Sequence, residues 1–166
     1  MKSIFLFLLI FVSFNVFPSS SIENFNTLIL KNLLFTQKSL DSTTKSLTES
    51  NGNITRENSF IFINVNKPYR ERYIVKNSSI EIYDFDFDQT RILQYKDIDN
   101  KSLIDIIING IDFETNNIKD ISNNSFKVID ASDREIYIEI IDTNSFFIKF
   151  KDNMNITNLV NFKVSL

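Results

Sequence analysis

Cysteine, histidine and tryptophan are absent from this chain of 166 residues, and glycine and proline occur only twice each. Without cysteine there is no disulfide, no thiol nucleophile and no cysteine to carry a lipid. Without histidine the commonest general base and the commonest transition-metal ligand are both missing. A surplus of one charge is lacking as well: the net charge is −3, so the chain has no electrostatic footprint for nucleic acid. No cofactor and no metal is implied. What the chain does hold is 17 phenylalanines within a hydrophobic content of 43% and a charged content of 23%, ordinary totals for one globular domain of this length.

Residues 1–21 have the form of a secretory signal peptide. Lys2 supplies the positive start, Ile4 to Val12 an uninterrupted apolar run, and Pro18-Ser19-Ser20-Ser21 the small residues a signal peptidase needs. A membrane anchor is the competing reading. A spanning helix needs ~20 apolar residues, and Ser13, Asn15 and Pro18 interrupt this one too soon. The expectation is therefore a cleaved leader followed by a single domain over 22–166, soluble and starting near Ser21 or Ile22.

The stretch 56–89 organises that domain. Phenylalanine, isoleucine and valine dominate it, with polar breaks at Asn66-Lys67-Pro68 and Asn77-Ser78-Ser79, the signature of consecutive antiparallel strands. Its first strand is apolar on both faces: Phe60 and Phe62 point one way, Ile61, Ile63 and Val65 the other. A strand wet on one side alternates with polar residues. One face here packs on protein, and the other lines a second dry space.

Elsewhere, 22–34 has helical spacing through Phe25, Leu28, Ile29, Asn32 and Leu33, running into a strand over 33–40. A more polar strand over 47–56 contains Asn51-Gly52, a hairpin turn or a bulge. A short strand is expected over 92–95. Ser102 and Asp105 frame a helix start in capping-box style, Ile104, Ile107, Ile108 and Ile111 form its apolar stripe with Ile106 beside them, and Gly110 suits its C-cap, although isoleucine is a mediocre helix former and a strand is the alternative. Strands follow at 126–128, 136–141, 146–151 and 159–164, a meander that fits a sandwich, a barrel or a half-barrel.

Set side by side, several pieces resemble a known family. Phe35-Thr36-Gln37-Lys38 follows the N-terminal helix; then come Gly52-x-Ile54-x-Arg56, Phe60-x-Phe62, Pro68, Ile74-Val75-Lys76-Asn77 and Ile80-x-Ile82-Tyr83-Asp84, with Gln89 beyond. This order resembles the outer-membrane lipoprotein carrier family of Gram-negative bacteria, LolA. The likeness covers about the first half of the expected mature chain, and the second half agrees in pattern only. Glu57 stands where the family has proline, Phe62 where it has tryptophan, and Gly52 and Arg56 lie closer together than in the family.

The resemblance implies a mainly β fold with helices, an unclosed antiparallel half-barrel covered by a helical lid. It implies a non-enzymatic, monomeric periplasmic carrier of acylated lipoproteins, loaded by an inner-membrane ABC transporter (LolCDE-like) and unloaded to an outer-membrane receptor (LolB-like). The missing cysteine sets the chain apart from the lipidated receptor. The acyl chains would meet Phe35, Phe60, Phe62, Ile80, Ile82 and the lid's Ile104, Ile107 and Ile108. Arg56 would latch the lid shut through backbone carbonyls around 103–108. A carrier of another amphiphile is the nearest alternative, and a secreted hydrolase using paired carboxylates a more distant one.

Each of these has a plainer reading. Phe60, Phe62, Ile80 and Ile82 suit a protein core. Arg56 suits a surface ion pair, which contributes little. Asp84-Phe85-Asp86-Phe87-Asp88 spaces carboxylates like a calcium loop, but Gln89 and Tyr95 stand where glycine and glutamate belong. Solvated aspartates with Phe85 and Phe87 facing the core explain it better. Lys67, Arg70 and Arg72 form a basic cluster that fits either an anionic contact or a solvated edge.

Overall fold

The computed structural model describes residues 19–57, 59–98, 101–112 and 114–165. The expected leader therefore falls outside the described residues, except for 19–21, which open the first helix. Among the described residues no helix is long and apolar enough to cross a membrane.

Helix α1 (Ser19–Ile29) forms because Ile22, Phe25, Leu28 and Ile29 fall on one stripe, and all four are buried. It ends sooner than its apolar spacing suggests. Leu33 belongs instead to strand β1 (Leu33–Leu40), where Leu33 and Phe35 are buried and Leu34 is half exposed. Period two replaces period 3.6 within four residues of the helix end.

A meander continues through β2 (Leu47–Glu57), β3 (Phe60–Lys67), β4 (Glu71–Val75), β5 (Ser79–Asp84) and β6 (Gln89–Gln94). Tyr95, expected to end the last of these, begins a 3-10 turn, Tyr95–Asp97. Helix α2 (Lys101–Asn109) follows, and a second meander runs through β7 (Asn117–Lys119), β8 (Ser125–Ile129), β9 (Glu135–Asp142), β10 (Ser145–Lys151) and β11 (Thr157–Val164). The eleven strands of the described residues join in one unclosed antiparallel sheet ordered β6-β5-β4-β3-β2-β1-β11-β10-β9-β8-β7. The two meanders meet where β1 pairs with β11, Phe35 opposite Phe162.

This topology decides where α2 must go. Strands β6 and β7 are consecutive in the chain yet lie at opposite ends of the sheet. The segment joining them has to cross the sheet's face, and α2 is its middle. Helix α1 occupies the other half of that face, against β8, β9 and β10. Its Phe25 meets Phe126 and Phe146 edge-on, with ring centroids 5.7 and 5.1 Å apart.

Asn51-Gly52 is a bulge site and not a turn. The β2–β3 register shifts there, Asn51 facing Lys67 and Gly52 facing Val65, which leaves Asn66 as the extra residue. Glycine is required for space: a Cβ on Gly52 would lie 1.9 Å from the Asn64 carbonyl oxygen and 2.7 Å from the Phe35 ring. Gly52→Ala is expected to destabilise the fold by roughly 1–3 kcal/mol, the usual cost of overpacking. A urea unfolding midpoint unchanged from wild type would show that the strands part freely here.

Two local expectations need correcting. Ser102 lies inside α2, which already begins at Lys101, so Ser102 is not its N-cap. Phe85 and Phe87 do not face the core: they are 40% and 68% exposed, because residues 85–88 leave the strand alternation to form a turn. Asp84 Oδ1 accepts the N–H groups of Asp86 and Phe87 at 2.9 and 3.1 Å, closing that turn. Asp86 accepts the backbone and side-chain N–H of Arg70, which hold its carboxyl below the usual range. Arg72, from the same basic cluster, donates to Asn64 Oδ1 at 2.8 Å and lies 5.6 Å from the centre of the Phe85 ring.

Candidate functional site

Between α2 and the inner face of β1–β6 lies a cavity of about 470 Å³. Small-molecule sites span ~300–1,000 Å³. Its wall follows from strand alternation. In β3, Ile63 and Val65 point in; in β4, Tyr73 and Val75; in β5, Ile80 and Ile82; in β6, Leu93. The register stacks them across the sheet, Ile63 beside Tyr73, Tyr73 beside Ile82, Val75 beside Ile80. From above, α2 contributes Ile104, Ile107 and Ile108. Ile106 turns the other way and is buried, as is Ile111 beyond the helix end.

Six of the residues singled out in the sequence therefore line this cavity: Phe35, Ile80, Ile82, Ile104, Ile107 and Ile108. Phe60 and Phe62 do not. The doubly apolar strand β3 turns Ile61, Ile63 and Val65 inward and Phe60 and Phe62 outward, where their ring centroids lie 6.4 Å apart and Phe60 is 42% exposed. Phe62 sits in an outward row with Thr55 on β2 and Ile74 on β4. The face is set by pairing with β2, whose Ile54, buried at 2%, faces Ile63.

Arg56 occupies the next inward position of β2 after Ile54. Its Nη2 donates to the carbonyl of Ile29 at 2.8 Å and to the carbonyl of Ile107, while its backbone N–H donates to Asn32 Oδ1 at 2.9 Å. Ile29 is the last residue of α1, and Ile107 belongs to the last turn of α2. Carbonyls at these ends have no partner within their own helices and carry the negative pole of the helix dipole. One guanidinium thus joins two helix C-termini. Burial lowers its pKa, and its Nε is buried without a partner; an arginine so placed still keeps its charge at neutral pH.

A second fastening had no signal in the sequence. Asn26, on α1, donates from Nδ2 to the Ile111 carbonyl at 2.8 Å and accepts the Ile111 N–H on Oδ1 at 2.8 Å. Gly110, at φ +74°, closes α2 by donating its N–H to the Ile106 carbonyl at 2.9 Å. A Cβ there would sit 2.6 Å from Asn26 Oδ1. Asn26→Ala leaves both Ile111 backbone groups without this partner and is expected to cost roughly 1–3 kcal/mol. Urea unfolding measures it, and a loss below the error of that method would mean that water replaces the amide.

The polar part of the cavity wall is small: Gln37, Ser50, Glu71 and the hydroxyls of Tyr69 and Tyr73. Burial, and then its bond to Glu71, push the Tyr73 hydroxyl well above the usual tyrosine range, so it stays a donor. Ser50, Glu71, Tyr73, Val75 and Leu93 were not anticipated from the sequence. Alternation along β4 would have found Glu71, Tyr73 and Val75 together.

Neither the profiles of known protein families nor the curated protein sequences match this chain. Solved structures do. A LolA superfamily protein from Nitrosomonas europaea superposes with a TM-score of 0.53 over 90% of this chain and 94% of its own, at 7% sequence identity. The ywiB protein from Bacillus subtilis aligns at a TM-score of 0.29 and 8% identity, over 82% of this chain and 93% of its own, too loosely to support an argument. At 7% identity the first likeness is one of fold, and the fold of this chain is LolA-like.

Proposed function

We infer that this chain is a non-enzymatic carrier that shelters the acyl chains of an amphiphile beneath α2, with acylated lipoproteins as the cargo. The observation that carries this is the cavity itself: a hollow between sheet and helix, walled by isoleucine, valine and aromatic side chains and left unfilled by the core. Interiors are normally close-packed, so an unfilled apolar space of this size calls for an occupant. Each methylene moved there from water contributes ~0.8 kcal/mol. A methylene takes about the volume of a liquid water molecule, ~30 Å³, so 470 Å³ holds on the order of fifteen, one chain. More chains require α2 to lift.

In this reading α2 is a lid, Arg56 its latch, and cargo favours the raised state. The setting is the periplasm, reached through the leader at 1–21. An inner-membrane ABC transporter (LolCDE-like) supplies cargo, and an outer-membrane receptor (LolB-like) takes it. Native mass spectrometry of protein isolated from periplasm tests the reading. Adducts carrying acyl groups are expected, and protein that stays unliganded when purified beside abundant lipoprotein would contradict it.

A further inference from the structure

Among the described residues Glu71 is the one acidic or basic side chain that lines the cavity. It projects inward from β4, between Val65 on β3 and Asp84 on β5. Its Oε2 accepts the Tyr73 hydroxyl at 2.5 Å, and its Oε1 lies 3.5 Å from Nη2 of Arg91. The Arg91 side chain is 65% exposed and stands outside the cavity lining, so this pair is loose. A carboxylate has room for about four hydrogen bonds, which leaves acceptor capacity facing the cavity.

Gln37 on β1 adds to the same bias. Its Nε2 donates to Ser39 Oγ and to Asn158 Oδ1, both at 2.9 Å. Asn158 is 4% exposed and is itself fixed, since its Oδ1 also accepts Ser39 Oγ at 2.7 Å and its Nδ2 donates to the Ile156 carbonyl at 3.1 Å. With both amide hydrogens spent, what Gln37 offers a ligand is its carbonyl oxygen. Tyr73 has committed its hydrogen to Glu71. Apart from the hydroxyls of Ser50 and Tyr69, which can donate or accept, the polar groups of the wall are acceptors, and among the described residues no basic side chain stands there to hold an anion.

We propose that the cavity selects amphiphiles whose head donates hydrogen bonds, an amide or ammonium beside the alkyl chain, over those with a carboxylate head, and that Glu71 sets the preference. The proposal rests on the carrier reading and narrows it. An acylated polypeptide carries such donors in the peptide N–H groups next to its chains, whereas a fatty acid anion brings a second negative charge against Glu71.

The test uses three probes of equal tail, dodecylammonium, N-dodecylacetamide and dodecanoate, each displacing a neutral fluorescent alkyl reporter below its micelle concentration. In wild type the ammonium and the amide are expected to bind more than about tenfold tighter than the carboxylate, since juxtaposed like charges are costly. In Glu71→Gln, which keeps an acceptor for Tyr73, the ammonium should lose its advantage and the carboxylate should gain. Glu81→Gln, on the outer face of β5, removes the same charge and should leave the preference unchanged. Dodecanoate binding as tightly as dodecylammonium in wild type overturns the proposal and leaves the carrier reading standing. A preference that survives Glu71→Gln, or that Glu81→Gln abolishes equally, removes Glu71 from the role. Failure of every probe to bind takes the carrier reading down and the proposal with it.

Discussion

Arg56→Leu is expected to leave the protein folded and to loosen α2. The substitution removes two charge-assisted hydrogen bonds to the ends of α1 and α2, gross contributions of ~1.5–3 kcal/mol each. Part of that is returned, because leucine need not be desolvated and the buried Nε disappears with the guanidinium. A net shift of about 1–3 kcal/mol remains, and at 1.4 kcal/mol per decade this raises the population of the open lid roughly five- to 150-fold. Hydrogen exchange of the α2 amides reads that population directly. Binding should tighten by a similar factor, since cargo no longer works against the latch, and hand-off to a receptor should fail. Arg56→Lys should not restore the closed state, because a flexible ammonium lacks the fixed planar geometry in which Nη2 meets both carbonyls. Normal transfer with impaired uptake would show that Arg56 does something else.

The second large effect distinguishes the two faces of β3. Ile63→Glu places a carboxylate in the apolar wall of the cavity, where burial of an unpaired charge is prohibitive. Binding of a fluorescent fatty acyl probe should be lost. Phe62→Glu, one residue away, puts the same group on the outer face, and binding should stay within about twofold of wild type, as surface substitutions usually have small effects. Because the cavity is unfilled, Ile63→Glu can draw water to its charge and should cost less stability than an acid in the packed half around Phe25. Equal loss in both variants would mean that the strand's two faces are not separated as described.

These neighbouring residues also show where sequence reading stopped. The existence of β3, its double apolarity and the strands of the second meander were legible, because period-two patterning is local. Which face looked inward was not. That is fixed by pairing with β2 and, through it, with β1 and β11, and such register joins residues as distant as Phe35 and Phe162. The helix stripe of Ile104, Ile107 and Ile108 was legible for the same local reason, and so was the Gly110 cap. Asn26 was invisible: a polar residue amid Phe25, Leu28 and Ile29 reads as the wet side of an amphipathic helix, and its partner Ile111 lies 85 positions away. Phe85 and Phe87 misled because alternation was carried past Asp84, where the chain had already turned.

On this reading acyl chains lie between α2 and the inner face of β3–β5. Photolabelling with a fatty acyl probe bearing a diazirine near its tail tests it most directly, with the attachment sites mapped by peptide sequencing. Labels are expected on inward residues such as Ile63, Tyr73 and Ile82 and on α2 at Ile104, Ile107 or Ile108, all competed away by unlabelled lipid. Labels confined to the outer face, at Phe60, Phe62 or Ile92, or labelling that unlabelled lipid does not compete, would contradict it.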